Sequence, residues 1–173
     1  KLTAAKVRIN DGIVIMRVTT FNEQTIPNLE DGMKATMEKT GINEPKGFIL
    51  DLRNNPGGLL SVAISVTDLF LDQGEIVSTR DREGKGERYK ASKGDIAKGK
   101  PVVILINAGS ASASEIVAGA LQDHQRAIVL GTKSFGKGSV QSVLPMGQSG
   151  GIRLTTARYY TPSGRSIQAL GVT

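Results

Sequence analysis

Val102-Val103-Ile104-Leu105-Ile106-Asn107-Ala108-Gly109-Ser110-Ala111-Ser112-Ala113-Ser114-Glu115-Ile116 decides the class of fold. The aliphatic run from Val102 to Ile106 suits a strand covered on both faces. Small residues follow, and Ile116, Val117, Ala120 and Leu121 then recur with a helical period. A buried strand that turns directly into a helix is the unit from which α/β proteins are assembled.

The same unit stands earlier in the chain. Gly47-Phe48-Ile49-Leu50-Asp51-Leu52 reads as a buried strand, and Arg53-Asn54-Asn55-Pro56-Gly57-Gly58 breaks it with turn formers. Leu59, Leu60, Ala63, Val66, Leu69 and Phe70 then mark a helical face. Upstream, β-branched runs from Val7 to Asn10 and from Ile13 to Thr19 flank Asp11-Gly12, a strong hairpin signal. Ile26, Leu29, Met33 and Met37 predict an amphipathic helix ending near Gly41. Further strands are expected over Glu75 to Thr79, Glu87 to Ala91, Ala127 to Leu130, a stretch beyond Lys137 through Val140, Val143 and Pro145, and Ile152 to Tyr160. The alternation implies one α/β domain over residues 1–173, with helices packed on a mainly parallel sheet.

Composition narrows the chemistry. There is no cysteine, which excludes disulfides, thiolate metal sites and a cysteine nucleophile, and a single histidine, His124, excludes a histidine-rich metal site. The net charge is +6, and the stretch from Arg80 to Lys100 holds much of the excess. One aromatic residue there, Tyr89, gives little for base stacking, so a solvated loop or hairpin is expected and nucleic acid is not an expected partner. The chain contains no apolar run long enough for a membrane span and no signal-peptide pattern; beginning at Lys1, it reads as a fragment.

Ser112-Ala113-Ser114-Glu115 fits a helix capping box, which accounts for one serine without catalysis. A serine on a strand-to-helix turn is also exposed at a sheet edge, beside main-chain N–H groups able to hold an oxyanion. Ser110, Ser112 and Ser114 are equal candidates on these grounds. His124 lies about 18 Å along a continuous helix from Ser112, too far to act as its base. A lysine can serve where its surroundings disfavour the charged form. Lys137 lies between glycines in Phe135-Gly136-Lys137-Gly138, and on an extended strand it would share a face with Ser139 and Gln141. Gly131 to Lys137 also satisfies the phosphate-loop spacing, but Gly138 replaces the required Ser or Thr and a strand follows where a helix is needed.

Five segments together resemble the carboxyl-terminal processing peptidases, or tail-specific proteases: Asp51 to Gly58, Gly109 to Glu115, Leu121 to His124, Ser134 to Gln141 and Tyr159 to Ile167. The resemblance runs from about Asn22 onward and implies a crotonase-like (Clp-protease/crotonase) α/β core bearing a Ser/Lys dyad. Carried over by position, it implies Ser112 as nucleophile, Lys137 as general base, Gln141 as the residue orienting that base, and the N–H groups of Gly58 and Ala113 as the oxyanion hole.

It further implies a serine endopeptidase that needs no metal or organic cofactor and acts on proteins with exposed C-terminal tails in the bacterial cell envelope. The resemblance leaves room for a homo-oligomer. The family places a PDZ domain before this core, and its carboxylate-binding loop has no counterpart here, so a catalytic-core fragment is expected. Two other readings share the fold: a non-catalytic peptide- or ligand-binding module, and acyl-CoA chemistry, which gives Lys137 and Gln141 no clear task.

Overall fold

The computed structural model describes residues 3–147 and 150–173. Strands β1 (Ala5–Asn10) and β2 (Ile13–Val18) form the expected antiparallel hairpin. Asp11 and Gly12 both have positive φ, 49° and 80°, as a two-residue turn that follows strand twist requires. Helix α1 (Thr25–Thr40) then crosses to β3 (Gly47–Asp51) and closes at Gly41, whose φ of 70° permits a left-handed cap.

After β3 come helix α2 (Leu60–Asp68) and strands β4 (Glu75–Arg80) and β5 (Arg88–Lys90). Strand β6 (Val102–Ile106), helix α3 (Ala113–Asp123) and β7 (Ile128–Gly131) complete the first sheet. Its order is β1-β2-β3-β6-β7, parallel at every pairing except the hairpin. Strands β8 (Ser139–Pro145) and β9 (Gly151–Tyr160) join β4 and β5 in a second, antiparallel sheet of order β5-β4-β9-β8. The fold class is therefore α/β, with a mostly parallel sheet and a second, antiparallel sheet in which two hairpins, β4–β5 and β8–β9, are joined by the distant pairing of β4 with β9.

One core unites these layers. Val14, Met16, Val18, Phe48, Leu50, Ile104 and Ile106 on the first sheet meet Leu29 of α1, Ala63 and Val66 of α2, and Ile116, Val117, Ala120 and Leu121 of α3. The opposite face carries Ile15, Ile49 and Val103 in register, half-buried, and ends at Ile128, which is exposed. The run Val102 to Ile106 is thus fully buried on alternate residues only. Its unbroken apolar character is used on one face by the helices and only in part on the other.

The basic stretch forms the turn and second strand of the β4–β5 hairpin and the loop that follows it, in keeping with the loop or hairpin its composition suggests. Asp81 accepts the N–H groups of Glu83 and Lys85, and Asp95 pairs with Arg126 at 2.8 Å. Beyond β9, residues 166–172 return across the loop between β7 and β8: Ala169 N–H donates to Gly136 O, and Ser134 N–H donates to Val172 O.

Candidate active site

The three serines separate by burial. Ser110 and Ser114 are fully buried, and their hydroxyls donate to the carbonyls of Leu52 at 2.8 Å and Asn55 at 2.9 Å. Both hydroxyls thereby satisfy main-chain acceptors where the chain leaves β3, and neither is available for attack. Ser112 is half-buried and stands at the N-cap of α3 with φ 55° and ψ −111°. A non-glycine residue held at positive φ stores roughly 1–3 kcal/mol, a conformation typical of sites where a side chain must be presented.

Gly57 and Gly58 lie directly against this serine. A Cβ on Gly57 would meet Ser112 Cβ at 2.9 Å and Ala113 N at 3.1 Å, so only glycine allows the approach. Gly58 forms a parallel bridge with Phe21 in which Phe21 N–H donates to Gly57 O and Leu59 N–H donates to Phe21 O. That pattern turns the N–H of Gly58 itself away from Phe21. Among the described residues neither the Gly58 N–H nor the Ala113 N–H has an acceptor. Ala113 is the first residue of α3, where an N–H is free and the helix dipole favours negative charge.

Buried Asn55 fixes the turn. Its Nδ2 donates to Val18 O, its Oδ1 accepts Gly57 N–H, and its carbonyl accepts Ala111 N–H and the Ser114 hydroxyl. One residue therefore joins the end of β2, the glycine pair and the serine loop. Its identity as a turn former was legible, but these distant partners were not.

Glu115 is the second such residue, and it ties the serine to the lysine loop. Its carboxylate is 1% exposed at residue level and accepts four hydrogen bonds. Oε2 takes Ser112 N–H at 2.7 Å and Lys137 N–H at 2.9 Å; Oε1 takes the Ser134 hydroxyl at 2.6 Å and Gly136 N–H at 2.5 Å. The main-chain nitrogens of Ser112 and Lys137 are therefore no more than about 5.6 Å apart, the sum of the two bonds through their common acceptor. The capping box expected from S-x-x-E is formed, but its glutamate serves a second loop as well.

Lys137 lies just before β8, outside the strand, and is exposed. Strand alternation thus begins at Ser139 and does not govern the direction of Lys137. The loop is also held from the C-terminal side, where Gln168 Oε1 accepts Gly138 N–H at 3.0 Å. Gln141 is on β8, also exposed, opposite Thr155. Among the described residues no hydrogen bond joins the Lys137 amine to Ser112 or to Gln141.

His124 caps the far end of an unbroken α3, where its Nε2 donates to Glu75 O at 2.6 Å and links the helix to β4. The phosphate-loop spacing is likewise put to another use. The N–H groups of Gly136 and Lys137 already donate to Glu115, leaving them unavailable to a phosphate.

Two carboxylates brace the surroundings. Burial disfavours the Asp51 carboxylate, but hydrogen bonds from the Arg53 side chain and main chain and the charges of Arg17 and Arg53 outweigh it, holding its pKa below the ordinary aspartate value. Burial also opposes the charge on Asp123. There the Ser163 and Thr161 hydroxyls, Ser163 N–H and Arg165 prevail and lower the pKa.

The sequence profile of peptidase family S41 matches residues 12–173. This chain belongs to peptidase family S41. The carboxy-terminal-processing protease of Bartonella bacilliformis is 55% identical over 174 aligned positions, which take in 100% of this chain and 40% of that protein. The carboxy-terminal processing protease of Bacillus subtilis is 39% identical over 158 positions, 91% of this chain and 33% of that protein. Among solved structures, the photosystem II D1 C-terminal processing protease superposes with a TM-score of 0.87 at 32% identity, over 100% of this chain and 47% of its own. The S41 chain thus spans less than half the length of these relatives.

Proposed function

We propose that this chain carries the catalytic centre of a serine endopeptidase that cleaves proteins near their C-termini, with Ser112 and Lys137 as a dyad. The observation that carries the reading is the shared Glu115 carboxylate, which holds the main chain of both residues beside the Gly57-Gly58 turn. In this scheme the Lys137 amine takes the proton of the Ser112 hydroxyl as its oxygen attacks the peptide carbonyl. The developing oxyanion accepts the N–H groups of Gly58 and Ala113. Lys137 returns the proton to the departing amine, leaving an ester on Ser112. Water then attacks the ester and gives a proton to Lys137; collapse frees the new C-terminus and restores the serine.

Lys137 must be a free amine when it acts, yet it is exposed. An extended substrate lying over it supplies the desolvation that the step requires, with Gln141 orienting the amine in the closed complex. The same reading implies substrates with exposed tails and a site in the bacterial cell envelope. In the longer protein a PDZ domain precedes this core, and self-association is open to it. No helix among the described residues is long and apolar enough to cross a membrane.

Cleavage of a disordered protein by the longer protein tests the dyad. Ser112→Ala and Lys137→Ala are each expected to lower turnover by more than about a thousandfold. Full activity in either variant rules the pair out.

A further inference from the structure

Helices α1, α2 and α3 pack on one face of the first sheet, and the aliphatic residues of the opposite face stand outside the core they form. Strand pairing arranges that outer face in two rows. Arg8, Ile15, Ile49, Val103 and Ile128 lie opposite one another from β1 to β7, and so do Lys6, Arg17, Asp51, Leu105 and Leu130. The rows are two residues apart on every strand, so both lie on the same face. Ile15, Ile49, Val103 and Leu105 are half-buried, whereas Ile128 and Leu130 are 64% and 51% exposed. Together they form one aliphatic patch from β2 to β7.

A sheet of parallel strands is ordinarily covered on both faces, and an aliphatic patch left open on one of them marks a contact surface. The patch is three strand spacings wide, about 14 Å, against roughly 10–12 Å for one helix with its side chains. Its β1 end differs in charge. There Lys6, Arg8 and Arg17 surround a single acid, Asp51, in a cavity of about 360 Å³ that Ile15 also lines. Asp51 is already paired with Arg17 and Arg53, and among the described residues neither Lys6 nor Arg8 reaches a carboxylate. The cavity therefore favours a side chain that brings one.

This charge pattern selects among occupants. A second copy of the chain would bring its own Lys6 and Arg8, and the two rows offer no acid beyond Asp51 to meet them. The length of the relatives points to another source: the chain spans 40%, 33% and 47% of the three described above, so more than half of each lies outside it. We propose that an amphipathic helix from the rest of the longer protein lies on this face. Its aliphatic side covers Ile49, Val103, Leu105, Ile128 and Leu130, and an Asp or Glu at its edge enters the cavity between Lys6 and Arg8. The outer face is then covered by a helix, as the inner face is by α1, α2 and α3.

The test is made in the full-length protein with Leu130→Cys and, as an exposed reference in the β4–β5 turn, Lys85→Cys; residues 1–173 contain no other cysteine. Maleimide labelling is followed peptide by peptide by mass spectrometry. Position 130 is expected to react at least about a hundredfold more slowly than position 85. Arg8→Glu should speed labelling at position 130 about tenfold, whereas Arg8→Lys should leave it unchanged. Leu130→p-benzoylphenylalanine, illuminated, should join to a peptide of the same molecule that lies outside residues 1–173 and carries an Asp or Glu. Equal labelling at the two positions, labelling indifferent to Arg8→Glu, or a crosslink to a second copy, to another protein or within residues 1–173 overturns the proposal. So does the absence of any crosslink. Turnover enters none of these readings, so the proposed pair of Ser112 and Lys137 stands or falls separately.

Discussion

Helix α3 and the β8–β9 arm present the two halves of the proposed dyad in opposite ways. Every residue from Ala113 to Leu121 is buried, so the serine's helix is an integral part of the core. Along the arm Val143, Leu144, Ile152 and Leu154 are all exposed, and the lysine stands where that arm begins. Packing fixes Ser112, the proposed nucleophile, and the N–H groups proposed to hold the oxyanion. Main-chain hydrogen bonds to Glu115 and to residues 166–172 fix the loop of Lys137, the proposed base. The difference teaches that the serine half is built in advance, whereas the lysine half depends on a few polar bonds, and substitutions at those bonds should separate the two.

The largest effect is expected at Glu115. Glu115→Ala leaves the N–H groups of Ser112, Gly136 and Lys137 and the Ser134 hydroxyl without their acceptor. With about 1–3 kcal/mol for each buried unsatisfied donor, a loss of more than roughly 3 kcal/mol is expected in denaturant unfolding. Glu115→Gln retains the shape but turns an amide toward N–H donors; about 1–3 kcal/mol and at least about a tenfold fall in turnover are expected. Unchanged turnover in Glu115→Gln would break the link drawn between the two halves.

Gly58→Ala tests the serine half alone. A Cβ there would be 2.1 Å from Phe21 O, and the residue's φ is 148°, so the strand end must move. About 2–4 kcal/mol of stability is expected to be lost, together with turnover, while the Glu115 bonds on the lysine side persist. Denaturant unfolding and a turnover assay read both outcomes.

How far these halves were legible follows the range of their interactions. Each strand and helix was readable to within a residue or two, because the hairpin at Asp11-Gly12, the spacing of Ile26, Leu29 and Met33, and the run Val102 to Ile106 are local patterns. The division into two sheets was not, since a strand's own residues do not record its partner. Likewise, S-x-x-E indicated a cap but not that Glu115 also accepts from Gly136 and Lys137, about twenty residues on. Choosing among Ser110, Ser112 and Ser114 from residue chemistry alone required knowing that Leu52 O and Asn55 O occupy the outer two hydroxyls. Main-chain acceptors of that kind have no side-chain signature.

Acid should loosen both halves. The folded pKa values of Asp51 and Asp123 lie below the ordinary 3.8, so their charged forms contribute stability above that pH. That contribution is lost as pH falls from about 3.8 through the lower folded values. Asp51 braces the end of β3, and Asp123 anchors the return segment through Ser163 and Arg165. Asp123→Asn should therefore shallow the fall of the thermal midpoint below pH 4 relative to the parent. An identical slope would remove the anchor from the account.

The smallest effect is expected on the arm itself. Leu154 is 46% exposed and faces Ser142 across the β8–β9 ladder, so Leu154→Gln removes little apolar surface from water-free contact and leaves the main-chain bonds intact. A change within about 0.5 kcal/mol is expected in denaturant unfolding. A loss above roughly 2 kcal/mol would mean that the arm's side chains, and not only its ladder and its root at Glu115, hold it in place. The lysine half would then rest on packing as the serine half does, and the contrast between them would fail at its most exposed point.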